Sequence, residues 1–247
     1  MSRGGTVVVV PARAAATRLP RKLLLRESGQ PLLAHTLERC LAAGRPQRVI
    51  AAVDDEELAD AARAAGAEAV LTDPELPSGS DRVWAAVRAL DGAERVVNVQ
   101  GDEAEIEPQA IDAVCAALED GADAVTLSAP LPADALEDPA AVKVVCDLSG
   151  RALYFSRAGI PHPRRPGAAE PRLHVGVYGY ARDTLAAFAA WPPTPLELAE
   201  GLEQLRLLEH GVPLQVLPWP RAFLGIDTRK DYDAFLTRLS SRGRPSA

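Results

Sequence analysis

The stretch from Thr6 to Lys22, TVVVVPARAAATRLPRK, constrains the fold more than any other part of the chain. Val7 to Val10 run without a break and stop at Pro11. A continuous β-branched run of this kind reads as a strand buried on both faces, the type found at the centre of a parallel sheet. In such sheets ligands bind beyond the carboxyl ends of the strands. The segment that leaves this strand carries Arg13, Arg18, Arg21 and Lys22 and no acidic residue. It is a candidate anion site with phosphate the expected anion, and a solvated basic loop is the alternative.

The pattern that follows alternates. Leu32, Leu33, Thr36, Leu37, Cys40 and Leu41 recur at helical spacing, with Pro31 before them and Gly44 after. Residues 48–53 predict a strand, 56–65 a helix, 67–71 a short strand, and the segment after Ser78-Gly79-Ser80-Asp81-Arg82 a helix. Strand 95–99, helix 108–119, strands 122–129, 141–145, 152–156 and 173–180, and helix 183–190 come next. Leu196 to His210 reads as one amphipathic helix, with Leu198, Leu202, Leu205 and Leu208 on one face and Gly211 as its stop. Strand 214–217 and helix 230–239 complete the chain. Strands alternating with helices define an α/β fold with a largely parallel sheet.

A length of 247 residues suits one main domain, to which residues 122–211 add a lobe for a second substrate. The net charge of −7 argues against a general nucleic-acid binder. A local basic cluster prevails over that average field, because charges beyond about 8 Å are largely screened at physiological salt. Cys40, Cys115 and Cys146 are far apart and form no ligand spacing, so they read as core thiols in a reducing compartment, with metal or disulfide roles as the alternative. With no leader-like N-terminus and no apolar run long enough to span a bilayer, a soluble cytoplasmic protein is expected, with no membrane partner.

No GxGxxG follows the first strand and no GxxxxGK[ST] occurs, which argues against a nicotinamide dehydrogenase and a P-loop ATPase. The basic loop would instead hold phosphates through side-chain cations. A triphosphate site normally takes a hard divalent cation with oxygen ligands. Asp102, in QGDE just past a second apolar strand, and Asp227, in LGIDT, are candidates for that role, with a turn or cap function as the alternative for each. Ser78, Gly79 and Ser80 open a helix, where backbone N–H groups favour an anion, although an ordinary cap is the commoner use. No GxSxG or adjacent Cys–His pair marks a nucleophile. His174 and Tyr178 would share one strand face and, with Arg157, could line the second lobe, with an ordinary exposed strand face as the alternative.

Taken in order, PARAAATRLPRK, SGSDR, NVQGDE, AVKVV, LYFSRAGIP, HVGVYGY, TPLELAEGLEQLRLLEHG and GIDT resemble the 3-deoxy-manno-octulosonate cytidylyltransferase (CMP-Kdo synthetase) family, from about Val7 to Phe235. The resemblance implies a three-layer α/β/α, Rossmann-like nucleotide-diphospho-sugar transferase fold with a mostly parallel, mixed sheet, usually as a homodimer. It implies transfer of a cytidylyl group from CTP to 3-deoxy-D-manno-octulosonate (Kdo), giving CMP-Kdo and pyrophosphate for lipopolysaccharide assembly. Carried over by position, Arg13, Thr17, Arg18 and Lys22 would bind the triphosphate, and Ser78, Gly79 and Ser80 would lie by the nucleotide. Asp102 and Asp227 would hold Mg²⁺. Gln100, Arg157, His174, Tyr178, Glu203 and Gln204 would line the sugar-acid pocket, with Arg82 near the boundary of the two substrates. Lys22, Arg18 and Asp102 are the expected catalytic groups. No general base stands out; a metal-bound hydroxyl and Asp102 itself are the alternatives.

Three positions depart from the family pattern: Ala16 where serine is usual, Arg21 where glycine is usual, and Ala104 where proline is usual. They bear on nucleotide affinity or preference and remove no expected cation, metal ligand or sugar contact. A different sugar acid, such as an 8-amino Kdo analogue or a sialic acid, is the alternative within enzymes, and an inactive nucleotide-binding protein the alternative outside them.

Overall fold

The computed structural model of the chain describes residues 4–15, 18–165 and 167–242. The valine run forms β1 (Gly5–Ala12), buried along its whole length. After it come α1 (Leu32–Leu41), β2 (Arg48–Val53), α2 (Glu56–Ala64), β3 (Glu68–Leu71), α3 (Gly79–Val87), β4 (Ala93–Asn98) and α4 (Pro108–Glu119). The rest is β5 (Ala124–Pro130), β6 (Lys143–Cys146), β7 (Ala152–Ser156), β8 (Arg172–Ala181), α5 (Arg182–Ala190), α6 (Pro195–Glu200), α7 (Leu205–Glu209), β9 (Leu214–Pro218) and α8 (Arg229–Arg242). The expected α/β class with a mixed, mostly parallel sheet is borne out. Two compact units make up the chain.

The first unit holds Gly5–Ala93, Asn98–Asp112 and the chain from Phe223 on. Strand β1 pairs in parallel with β2, Val7 opposite Arg48 through Ala12 opposite Val53, and β2 pairs in parallel with β3. Parallel neighbours need crossover connections, which α1 and α2 supply. Leu32, Leu33, Leu37 and Cys40 of α1 and Leu58 of α2 are buried. Asp55 starts α2 by accepting the Glu57 N–H through its side chain. The Val99 N–H donates to the Val9 carbonyl (3.1 Å), which brings the chain after β4 alongside β1. Gln100 to Asp102 therefore emerge beside the basic loop.

The second unit holds Glu94–Val97 and Ala113–Ala222. Its strand order is β4-β8-β5-β9, with β6 beside β8 and β7 beside β6. Strands β5 and β9 run parallel, β5 and β8 antiparallel. Helix α4 packs close on β8: a Cβ added at Gly179 would stand 2.5 Å from Val114 Cγ1 and 2.8 Å from Leu118 Cδ1. Arg206 and Glu197 form a buried ion pair, and Arg206 also donates to the Phe188 carbonyl (3.1 Å). Glu197 in turn accepts the Thr194 N–H and completes a capping box at the start of α6.

One expected element is corrected. Leu196 to His210 is not a single helix. Helix α6 ends at Gly201, which adopts φ 62° and ψ 44°, and a turn precedes α7. A left-handed residue cannot continue a right-handed helix. Leucine spacing survives this break, but the shared face does not: Leu198 is 70% exposed while Leu202 and Leu205 are buried. Cys40 and Cys115 are buried as expected of core thiols, whereas Cys146, at the end of β6, is only partly buried; all three are free. Among the described residues no helix is long and apolar enough to cross a membrane.

Candidate active site

Lys22 opens a 3-10 turn, Lys22–Leu24, whose Leu23 and Leu24 are buried against the core. Its ammonium donates to Asp102 Oδ2 (2.5 Å) and to Asp227 Oδ1 (2.8 Å). Arg18 Nη2 lies 3.2 Å from the other Asp227 oxygen. Burial opposes the Lys22 charge, but Asp102 and then Asp227 outweigh it and hold its pKa above the ordinary lysine value. Four expected site residues thus meet at one place. With Arg13 and Gln100 they line a cavity of about 210 Å³ in the first unit.

Backbone geometry brings them there. The Thr36 hydroxyl, buried in α1, donates to the Gly101 carbonyl (2.8 Å) and fixes the turn before Asp102. A Cβ at Gly101 would stand 3.1 Å from Leu23 Cδ1 and 3.2 Å from the Pro11 carbonyl, so glycine is what lets this turn approach β1. The Ile226 N–H donates to the Asp102 carbonyl (3.2 Å), which ties the segment before α8 to the same turn. Asp231 accepts from the N–H groups of Asp227 (3.2 Å) and Thr228 (2.8 Å) and holds Asp227 at the start of α8.

Glu103 sits beside this cluster. Its Oε2 is buried with no hydrogen-bond partner among the described residues. Burial, with Asp102 and Asp227 adding like charge, pushes its pKa up to about 7. Arg21 has φ 52° and ψ 31°, in the left-handed region, and pairs with Glu57 at 2.5 Å. The backbone there is the one glycine favours, so arginine is held in it by tertiary context. Thr17 and Ala16 lie outside the described residues.

Other expected residues take different positions. Ser78 caps α3: its hydroxyl accepts the Asp81 N–H (3.1 Å) and donates to Asp81 Oδ2 (2.7 Å). A Cβ on Gly79 would stand 3.6 Å from the Gln100 side-chain amide, so the start of α3 adjoins the cavity lining. Ser80 is buried. Arg82 is 3% exposed and does not line the cavity; it pairs with Asp54 (3.4 Å) and donates to the Thr72 hydroxyl (2.5 Å). Asp54 also accepts the Ala14 N–H (2.9 Å), so one carboxylate anchors both the basic loop and Arg82. The Asp54-Asp55 pair at the end of the second predicted strand was its only sequence signal.

The remaining expected residues belong to the second unit. Arg157 donates to the carbonyls of Glu200 (2.7 Å), Pro139 (2.9 Å) and Gly201 (3.2 Å). Glu200 accepts the Ser156 hydroxyl (2.6 Å) and the Arg157 N–H (2.9 Å), a positioning role that helical spacing did not reveal. His174 and Tyr178 pack together as expected for one strand face, with ring centroids 5.4 Å apart. Burial, then the charges of Tyr180 and Glu203, raise the Tyr178 pKa well above 10. Gln204 is 4% exposed and its side-chain nitrogen has no partner among the described residues. Arg157 thus reaches the start of the turn between α6 and α7 through the Gly201 carbonyl, and Glu203 and Gln204 follow in that turn.

Two consequences are measurable. Both Arg21→Gly and Arg21→Ala lose the exposed pair with Glu57, so their difference isolates the backbone. The glycine variant is expected to be the more stable by about 1 kcal/mol in urea unfolding; the reverse order would contradict a left-handed residue 21. For His174, burial lowers the pKa to about 3 from 6.5, so its contribution is fully present above pH 6.5 and is lost as pH falls. From pH 7 to pH 5 the parent protein is expected to lose about 2 kcal/mol more than His174→Gln. Equal losses would show that His174 is not held in its neutral form.

The cytidylyltransferase family model matches residues 7–215. A 3-deoxy-manno-octulosonate cytidylyltransferase of Anaeromyxobacter sp. (strain Fw109-5) is 48% identical over 239 residues, covering 96% of this chain and 98% of that protein. One from Acidobacterium capsulatum is 42% identical over 244 residues, covering 98% and 99%. The solved structure of a CMP:2-keto-3-deoxy-manno-octonic acid synthetase complexed with CTP superposes with a TM-score of 0.93 at 33% identity, over 96% of this chain and 99% of that one. The convergence of Arg18, Lys22, Asp102 and Asp227 and this near full-length similarity lead to one conclusion: the chain belongs to the 3-deoxy-manno-octulosonate cytidylyltransferase family.

Proposed function

We propose that this chain transfers the cytidylyl group of CTP to Kdo, releasing pyrophosphate and forming CMP-Kdo for lipopolysaccharide assembly. The observation that carries the reading is the cavity lined by Arg13, Arg18, Lys22, Asp102 and Asp227, in which Lys22 bridges the two carboxylates. In the reaction the anomeric hydroxyl oxygen of Kdo attacks the α-phosphorus in line. A new O–P bond forms, the bond to the β-phosphate oxygen breaks and its electron pair leaves with pyrophosphate, and the hydroxyl proton passes to solvent water. Such a displacement asks the protein for position and charge more than for covalent chemistry. Arg13, Arg18 and Lys22 supply cations for the triphosphate and for the leaving pyrophosphate.

Mg²⁺ belongs to this reading. Asp102 and Asp227 offer hard carboxylate oxygens that converge on one cation, the Lys22 ammonium. That donor chemistry fits Mg²⁺, which binds through one or two carboxylates plus substrate phosphates. No cluster of three or more His, Cys, Asp or Glu side chains suited to a metal occurs among the described residues, in keeping with a site completed by the nucleotide. Bound there, Mg²⁺ would neutralise developing charge on the phosphates. For the sugar acid, Arg157 retains N–H groups beyond its three carbonyl bonds for a carboxylate, and the side chains of His174, Tyr178, Glu203 and Gln204 suit hydroxyls.

Pyrophosphate release with CTP and Mg²⁺ tests the reading, using Kdo, its 8-amino analogue and a sialic acid in parallel. Release with Kdo is expected, and Asp102→Asn should lower turnover about a hundredfold or more while remaining folded. No release with any acid would overturn the enzymatic reading, and release with another acid alone would replace Kdo. Near-parental turnover of the variant would remove Asp102 from the site.

A cytoplasmic location is in keeping with the free thiols of Cys40 and Cys115. A homodimer is supported by the second unit, whose β6–β7 hairpin and α6 expose Leu148, Leu153, Leu196 and Leu198. Light scattering on the eluting protein is expected to give twice the chain mass, and Leu153→Glu with Leu198→Glu to reduce it. A monomeric parent protein would end the dimer proposal.

A further inference from the structure

The pairing of β5 with β8 shifts register between Thr126 and Leu127: Thr126 faces Tyr178, while Leu127 faces Val175. Gly176 and Val177 are therefore extra residues on β8, and a bulge of this kind leaves main-chain groups without ladder partners. The Thr126 hydroxyl takes up that role. It lies 2.9 Å from the Val177 carbonyl, 3.2 Å from the Val175 carbonyl and 3.0 Å from His174 Nε2.

A threonine hydroxyl has one proton and its oxygen accepts, whereas a carbonyl only accepts. With Val177 O at 2.9 Å, the single proton goes to a carbonyl; otherwise two oxygen lone pairs would face each other at hydrogen-bond distance. His174 Nε2 must then carry a proton and donate it to Thr126 Oγ1. Burial lowers the His174 pKa to about 3, so the ring is neutral and carries only that one proton. Nδ1 is left as a lone pair. Nδ1 makes no hydrogen bond among the described residues, while the ring is set in orientation by Phe155 (5.1 Å, 83°) and Tyr178 (5.4 Å, 47°).

We propose that Thr126 is a positioning residue that fixes His174 as its Nε2–H tautomer, so that Nδ1 presents a hydrogen-bond acceptor to a hydroxyl of the sugar acid. The inference deepens the preceding reading, on which it rests for the identity of the ligand. It has a chemical consequence. An acceptor nitrogen receives an O–H and repels an anion, so His174 selects a hydroxyl and takes no part in holding the carboxylate. Sites that hydrogen-bond a hydroxyl strongly reject analogues that lack it, because the buried partner is left unpaired.

Long-range ¹H–¹⁵N correlation on histidine-labelled protein reads the tautomer directly, before any substrate is added. The parent protein and Thr126→Ser are expected to show His174 protonated at Nε2, and Thr126→Val to lose that single-tautomer signature. In parallel, the KM for the sugar acid is expected to rise at least tenfold in Thr126→Val and to recover in Thr126→Ser, with the KM for CTP within twofold throughout. His174 protonated at Nδ1 in the parent protein would overturn the proposal, and needs no folded variant. So would a valine variant whose His174 spectrum matches the parent's. A changed spectrum with an unchanged sugar-acid KM would instead overturn the reading that His174 meets the sugar acid, and with it the acceptor role.

Discussion

The ammonium of Lys22 between Asp102 and Asp227 is the interaction on which the first unit's candidate site depends. It joins three stretches, separated by 80 and 205 positions along the chain. Two carboxylates converging on one place repel each other unless a cation stands between them. At about 4 Å and an effective dielectric near 20, each opposite charge is worth on the order of 4 kcal/mol. Arg18 adds a second cation on the far oxygen of Asp227. The same arrangement that settles the carboxylates prepares the site, since any other cation that comes to them must share or replace Lys22. In the proposed reaction a lysine displaced from them would be available to a phosphate.

The scaffold explains how such a cluster persists. Strand β1 is buried throughout, so the loop that leaves it starts from a fixed point. The QGDE turn reaches that point because Gly101 has no side chain to strike Leu23 or the Pro11 carbonyl. Asp54 then restrains the loop through the Ala14 N–H and, through the same carboxylate, holds the buried Arg82. Arg82 therefore acts on the loop's anchor as well as on anything it meets directly. In the second unit the comparable device is Glu200, which orders Ser156 and Arg157 from the end of α6.

Much of this was readable from the sequence, for identifiable reasons. Hydrophobic runs and their periods located almost every strand and helix, because burial of those residues is what forms the elements. The basic loop and QGDE were readable because each leaves the end of an apolar strand. That Asp227 joins them was an implication of family resemblance; no local pattern carries a contact made 205 positions away. Residues 196–210 misled because leucine spacing persists across Gly201, while a single left-handed residue breaks the helix. Asp54, Glu200 and Thr126 act through other side chains or main-chain groups, and a lone aspartate, glutamate or buried threonine carries no pattern of its own. Thr126 in particular depends on a bulge that exists only once β5 and β8 have paired.

The central claim is that Asp102 and Asp227 form, with the triphosphate, a cation site from which Lys22 moves to the phosphates. Anomalous diffraction from crystals grown with CTP and Mn²⁺ addresses it most directly. The account predicts a manganese peak coordinated by both carboxylates, with the Lys22 ammonium turned onto the triphosphate. Manganese bound elsewhere, with Lys22 still bridging Asp102 and Asp227, would contradict it.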